Sequence, residues 1–196
     1  MSISLIILLS LAALMIHSVL AAADSKSAAA PAMDPKVMEA MQPGPEHQQL
    51  AKLVGTWNVA CSMWMKPDAE ATQSKGTCVF RHILDRRFVQ GDFSGSFMDK
   101  PFNGLAIIGY DRAAKRYVST WCDSMATSFV CLKGTSSDNG RTITYAGDMV
   151  CPQQGPTTVR QVETHDSDSR FSLVMYQTPE GGKESKSMEL VYTRRP

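Results

Sequence analysis

The sequence carries no Asp, Glu, Lys or Arg before Asp24, and an uncharged, strongly apolar run extends from Ile3 to Leu20. Small residues close it: Val19-Leu20-Ala21 and Ala21-Ala22-Ala23 both satisfy the small-x-small pattern of signal peptidase cleavage. About 18 apolar residues is near the lower limit for a membrane span. The alanines at the end, with no flanking basic cluster, favour removal over retention as an anchor. No Cys directly follows the run, which argues against a lipid anchor, and nothing later approaches spanning length. Residues 1–23 are therefore expected to be a signal peptide, with the mature chain soluble and exported to a periplasmic or extracellular compartment. No membrane insertion is expected after cleavage.

Charge of one sign is also missing. The formal net charge is +1, which gives no electrostatic reason to bind nucleic acid or an anionic membrane. Chemistry-bearing motifs are scarce as well. There is no C-x-x-C, no H-E-x-x-H and no Cys/His cluster, so no metal site is expected. Phe93-Ser94-Gly95-Ser96 lacks the G-x-S-x-G elbow, and Gly134 to Gly140 lacks the P-loop Lys-Ser/Thr. These absences leave no catalytic residue and no cofactor to assign.

What remains after residue 23 is roughly 170 residues, enough for one domain with a full core. Residues 24–43 are rich in Ala, Ser, Pro and Met and read as a tether, in which Asp34-Pro35 caps one short helix. Gly44-Pro45-Glu46 starts a second helix, with Leu50, Leu53 and Val54 on one face and Gly55 stopping it. From Thr56 the period changes to two: Trp57, Val59, Cys61, Met63 and Met65 alternate with smaller or more polar residues.

The same alternation recurs in Thr77–Leu84, Phe88–Phe97, Phe102–Tyr110, Tyr117–Asp123 and Phe129–Lys133. It continues in Thr142–Val150, Thr157–Thr164, Phe171–Tyr176 and Ser187–Arg194. Turn signals such as Lys66-Pro67-Asp68 and Asp138-Asn139-Gly140 separate the segments. Ten short strands with no helix between them predict an all-β, antiparallel up-and-down barrel over residues 44–196. Closure is favoured over an open sandwich because it alone removes exposed edges.

The helix followed by Gly55-Thr56-Trp57 resembles the lipocalin and calycin barrels, which place a G-x-W at the head of the first strand, with the indole closing the floor. Many of them lay a terminal-strand Arg across that indole, and Arg194 or Arg195 stands in that place. Arg194 with Trp57 is the expected closing pair. A longer series of motifs resembles one family, the domain of unknown function numbered fifteen seventy-nine. It includes Pro43-Gly44-Pro45-Glu46-His47, Leu53-Val54-Gly55-Thr56-Trp57, Pro101-Phe102-Asn103-Gly104-Leu105 and Gly109-Tyr110-Asp111. Lys115 to Trp121 and Met188 to Arg194 complete it.

That resemblance implies a calycin-like barrel and brings no activity. Asp85-Arg86 departs from the pair of glycines the family more often has there, which puts the local turn in question. The nitric-oxide-binding haem barrels are a more distant likeness, and their late haem-ligating His is unmatched because no His follows His165.

Several side chains are candidates for function. Of the five cysteines, Cys61 with Cys78 and Cys122 with Cys131 flank hairpin connections and are the candidate disulfides. A buried free thiol is the competing reading for Cys61. Among the histidines, His47 is expected exposed on the closing helix and His82 in the barrel wall. Trp57, Met63, Phe80, Phe93, Tyr110, Trp121, Phe129, Met149, Met175 and Tyr192 are the candidate cavity lining. Methionine adapts to irregular apolar surfaces, although the same residues would serve a filled core.

The leading expectation is an exported, non-enzymatic barrel that binds a small apolar or amphipathic molecule. One alternative is an enzyme using an inward carboxylate (Asp92, Asp123, Asp148 or Glu163) beside Arg81, Arg87 or Arg160. The other is an envelope structural or interaction protein with a filled core. Oligomeric state is left open.

Overall fold

The computed structural model describes residues 33–196, so the apolar leader, its cleavage motif, His17 and the first part of the tether lie outside the described residues. Helix α1 (Pro35–Ala40) starts where Asp34 caps it, its carboxylate accepting the Lys36 N–H at 2.8 Å, with Pro at the first position. Helix α2 (Pro45–Leu50) runs on into a 3-10 turn, Ala51–Leu53. The Gly44 N–H donates to His47 Nδ1 at 3.0 Å, and the His47 ring meets Tyr110 edge-on at 6.2 Å. His47 is therefore buried rather than exposed, because it caps its own helix and turns its ring toward the barrel. Among the described residues no helix is long and apolar enough to cross a membrane.

Ten antiparallel strands follow. They are β1 (Gly55–Met63), β2 (Thr72–Ile83), β3 (Phe88–Phe97), β4 (Lys100–Asp111) and β5 (Arg116–Asp123), then β6 (Val130–Thr135), β7 (Thr142–Cys151), β8 (Gly155–Ser167), β9 (Arg170–Pro179) and β10 (Ser185–Arg194). Each pairs with the next in sequence, and β1 pairs with β10 to close the barrel. In that seam Trp57 stands opposite Arg194 and Met63 opposite Met188. Most strands extend past the alternating segment in the sequence; β2 starts at Thr72, because Gln73 to Gly76 find partners in β1 despite having no apolar pattern. Full closure leaves no exposed edge in the sheet.

Register fixes which face each residue takes. Trp57 faces Cys78, which faces Phe93, which faces Gly104, so this set points inward around the ring. The two ends of the barrel differ. At the end where α2 sits, Trp57, Phe80, Val89, Tyr145, Phe171 and Tyr192 pack with Leu50 and Leu53 from the helix and its 3-10 turn into one buried cluster. We call this the helix end, and the other the open end.

The β2–β3 turn at the helix end shows what replaces glycine there. Leu84, Asp85 and Arg86 have φ values of 49°, 54° and 63°, three consecutive non-glycine residues in the left-handed region. The two-glycine version of this turn would adopt that backbone without the Cβ clash, which costs about 1–2 kcal/mol per residue. The double change Asp85→Gly, Arg86→Gly is accordingly expected to stabilise the protein by about 1 kcal/mol, after the extra unfolded-chain entropy of two glycines. A rise in the urea midpoint at unchanged slope would show it; a fall would mean that contacts of these side chains outweigh the backbone relief.

Candidate functional site

The floor of the barrel is assembled from three separated pieces of sequence. Gly55 enters β1 with φ of 136°, and a Cβ there would collide with the Arg194 guanidinium. The Trp57 indole donates to the Leu53 carbonyl at 2.7 Å, tying strand to 3-10 turn. Its ring meets Phe171 edge-on at 4.8 Å, and the Arg194 guanidinium lies 4.2 Å above its centroid. Arg194 also donates to the carbonyls of Val54 and Asp168 (each 2.8 Å) and of Lys52, so it laces the 3-10 turn to the β8–β9 turn. Arg195 points elsewhere, to Asn58 and Thr77.

Above that floor the core is filled. Phe171 stacks on Tyr192 at 4.1 Å and 8°, and Phe80 leans on both. Three of the candidate lining residues, Trp57, Phe80 and Tyr192, therefore belong to solid packing. Burial raises the phenols of Tyr145 and Tyr192 well above the usual range, and that of Tyr117 to about 12. All three are held neutral.

Toward the open end the inward face changes character. Met63, Phe93, Trp121, Met149 and Met175 point inward by register, as do Leu173 and Leu190, yet all are only half-buried. Phe93, Met149, Met175, Leu173 and Leu190 pack against the buried cluster on one side and keep part of their surface accessible toward the mouth. Phe93, Phe102 and Trp121 form an aromatic group with centroids 5.8–6.5 Å apart. The Trp121 ring lies flat over Gly104, where any Cβ would strike it. Its indole donates to Asp123 at 2.8 Å, which fixes the ring against the wall. Glycine there lets a large ring hug the wall instead of filling the space.

Two expected lining residues sit elsewhere. Tyr110 is at the helix end, packed edge-on against Tyr117 at 5.0 Å. Phe129 is 69% exposed: β6 begins at Val130, which pairs with Trp121, so Phe129 belongs to the connection and not to the inner face.

The cysteines are all free thiols. Cys78 stands opposite Trp57, four residues from Cys61, which stands opposite Ser74. Cys131 faces Thr120 and not Cys122. Neither candidate disulfide forms, because the ladders do not set either pair opposite one another. Cys61 and Cys78 are buried, and burial pushes both thiols up, Cys78 to about 12.

The expected carboxylate–arginine pairing does not occur inside the barrel. Arg81 with Asp92 and Arg160 with Glu184 are ion pairs on the outer wall, the latter bidentate at 2.7 and 2.9 Å. Asp148 faces outward to Thr158, and Arg87 meets the exposed Asp85. Asp123 is taken up by Trp121 and by the backbone of Met125 and Ala126. Glu163 does point inward, and its partner is His165, Nε2 to Oε1 2.7 Å.

His165 stacks on Phe171 at 5.3 Å and borders a cleft of about 280 Å³ between Leu50, Lys52, Asn139, Arg141 and the β8–β9 turn. His82 is half-buried with its Nδ1 unpartnered. Among the described residues no three His, Cys, Asp or Glu side chains converge as a metal site would need.

Comparison with known proteins agrees with this architecture. The chain matches the family described as "Protein of unknown function (DUF1579)" over residues 42–194. No curated protein matches it. Among solved structures it is similar to Rv2717c from M. tuberculosis, with 15% identity, a TM-score of 0.60, and coverage of 79% of this chain and 100% of that one. At that identity the likeness is one of fold. A redesigned beta barrel, b11L5F_LGL, matches at 17% identity and TM-score 0.38, over 74% of this chain and 94% of that one. EF1p2_mFAP2b bound to DFHBI matches at 16% and 0.37, over 76% and 99%.

Proposed function

The chain belongs to DUF1579, a family of proteins of unknown function, and from that starting point we propose that it binds one small apolar or amphipathic molecule in the open half of its barrel. One observation carries the reading: the inward apolar side chains at the open end, Met63, Phe93, Trp121, Met149 and Met175 among them, stay partly exposed while Trp57, Phe80, Phe171 and Tyr192 at the helix end are fully buried. Leaving that much apolar wall wet costs free energy that a ligand would recover, at about 25 cal/mol per Å² covered. The Met-rich lining adapts to irregular shapes. Among the residues named no basic group faces that half, and the carboxylate that does, Asp123, is held by the Trp121 indole and two backbone N–H groups, which favours a neutral or weakly polar body. Export to a periplasmic or extracellular compartment is part of the proposal, supported by the uncharged run before Asp24 and the small residues that close it.

The test is titration with the neutral probe N-phenyl-1-naphthylamine, read by probe emission and by energy transfer from tryptophan. Wild type is expected to bind one equivalent. Met175→Lys, which places a charge on the lumen wall, is expected to weaken binding at least tenfold. Lys75→Glu, on the outer face of β2, is expected to leave it unchanged. A wild-type protein that leaves the probe dark would overturn the proposal.

A further inference from the structure

The exposed large apolar side chains of the barrel are concentrated at one end. Met65, Met98, Met125, Phe129 and Val150 are between 50% and 72% exposed, and all five lie where strands turn at the open end. Among the described barrel residues only Val79 and Leu84 are comparable elsewhere. The ring order makes the β3–β4, β5–β6 and β7–β8 connections neighbours, so Met98, Met125, Phe129 and Val150 form one continuous arc of the rim. Segments 124–129 and 150–154 hold no charged residue, and the β3–β4 turn beside Met98 holds one of each sign, Asp99 and Lys100. The opposite arc is charged, with Lys66, Asp68 and Glu70 after β1 and Glu180, Lys183 and Glu184 before β10. Turns at the helix end are charged throughout, for example Asp85, Arg86, Arg112, Lys115, Asp166 and Asp168.

We propose that this apolar arc, which carries no net charge, docks on a neutral phospholipid surface, with the mouth of the barrel facing the acyl region. Large apolar side chains projecting from loops of no net charge are suited to enter the headgroup boundary, while the more heavily charged arc across the rim stays in water and tilts the barrel. The arc carries no net charge, the Asp99 carboxylate offsetting the Lys100 ammonium beside Met98, so anionic lipid adds little and salt does not release the protein.

Shape favours a lipid over a folded partner. The apolar residues border one side of the barrel mouth, so a rigid flat face would rest on the rim and leave the half-buried inner wall wet. A fluid surface follows the rim and enters the opening. The arc is continuous with the lumen through Phe129, next to the inward Val130, and through Val150, next to the inward Met149. This inference rests on the lumen reading for its purpose, since docking brings the mouth to a source of amphipathic molecules.

Methionine oxidation tests it on the native protein. The full chain, as processed by its host, is exposed to dilute hydrogen peroxide with and without phosphatidylcholine vesicles, and sulfoxide is counted by peptide mass spectrometry. Vesicles are expected to slow oxidation of Met98 and Met125 at least threefold, at both low and high salt. Met38 and Met41, exposed on α1, serve as internal controls and are expected to be unaffected. In the double variant Met125→Ser, Phe129→Ser, both surface changes, Met98 is expected to lose its protection.

Rim methionines oxidised equally with and without vesicles would overturn the proposal. So would equal protection of α1 and rim, or protection that appears without lipid and grows with protein concentration, the mark of a second copy capping the mouth. Probe titration without vesicles separates the two readings. Probe binding without rim protection sinks docking alone, and rim protection without probe binding sinks the lumen site alone.

Discussion

Trp57→Ala is expected to cost about 3–5 kcal/mol, the range for removing a fully buried tryptophan. The indole is 1% exposed, and it is the point where helix, first strand and last strand meet. Truncation removes the hydrogen bond to Leu53, the edge contact with Phe171 and the surface on which Arg194 lies. It also leaves the Arg194 guanidinium over a cavity that the filled core cannot easily close. Urea unfolding followed by far-UV circular dichroism measures the loss, and a change under 1 kcal/mol would show that the helix end is not a single packed unit. Trp57→Phe, which keeps most of the volume but not the donor, is expected to lose less. Arg194→Lys is expected to cost about 1–2 kcal/mol, because an ammonium cannot hold three carbonyls in the guanidinium's fork.

The second large effect belongs to His165. Its replacement by alanine is expected to cost about 3 kcal/mol, a value set by the carboxylate it leaves behind and not by its own packing. The Glu163 side chain is 3% exposed, and the imidazole is the side-chain partner that holds it. Without that partner a buried acceptor is stranded. Glu163→Gln keeps the shape and removes the stranded charge, so His165→Ala is expected to be much milder in that background. A double-mutant cycle reads the coupling, expected above 1 kcal/mol. Additive losses would mean that Glu163 finds another donor once His165 is gone.

The alternation of Trp57, Val59 and Cys61 and its repeats made the barrel legible, since period two and turn residues are local properties. The floor was legible through the resemblance to lipocalin barrels, whose G-x-W and terminal-strand Arg are matched by Gly55, Trp57 and Arg194 at the two ends of the strand series. The pairing of thiols was not. Cys61 and Cys78 flank one connection (64–71) but stand two and six residues from the Met63–Thr72 pair that closes it, which sets Cys61 against Ser74 and Cys78 against Trp57. Phe129 misled through its type: an aromatic next to Val130 reads as strand, and only the cross-strand partner of Val130 shows where β6 starts.

The polar centre at Glu163 was half visible. Counting by twos from the apolar Val159 already points Gln161 and Glu163 inward. That His165 would answer the carboxylate in place of an arginine depends on β8 continuing past Thr164, where the sequence turns acidic and reads as a loop.

The closing seam has a consequence in time. Nine of the ten ladders join strands adjacent in the chain, so each can form as soon as its hairpin exists. The tenth joins β1 to β10, and beside it the hydrogen bond from the Arg194 guanidinium to the Val54 carbonyl spans 140 residues. Until β10 is made and docks, β1 and β9 both present unpaired edges, and Trp57 has no lid. Closing so long a loop is the slow, entropically costly step, and a chain caught before it is a strip of sheet with two sticky margins. Completion of the ring and disappearance of those margins are therefore one event, timed by the final strand.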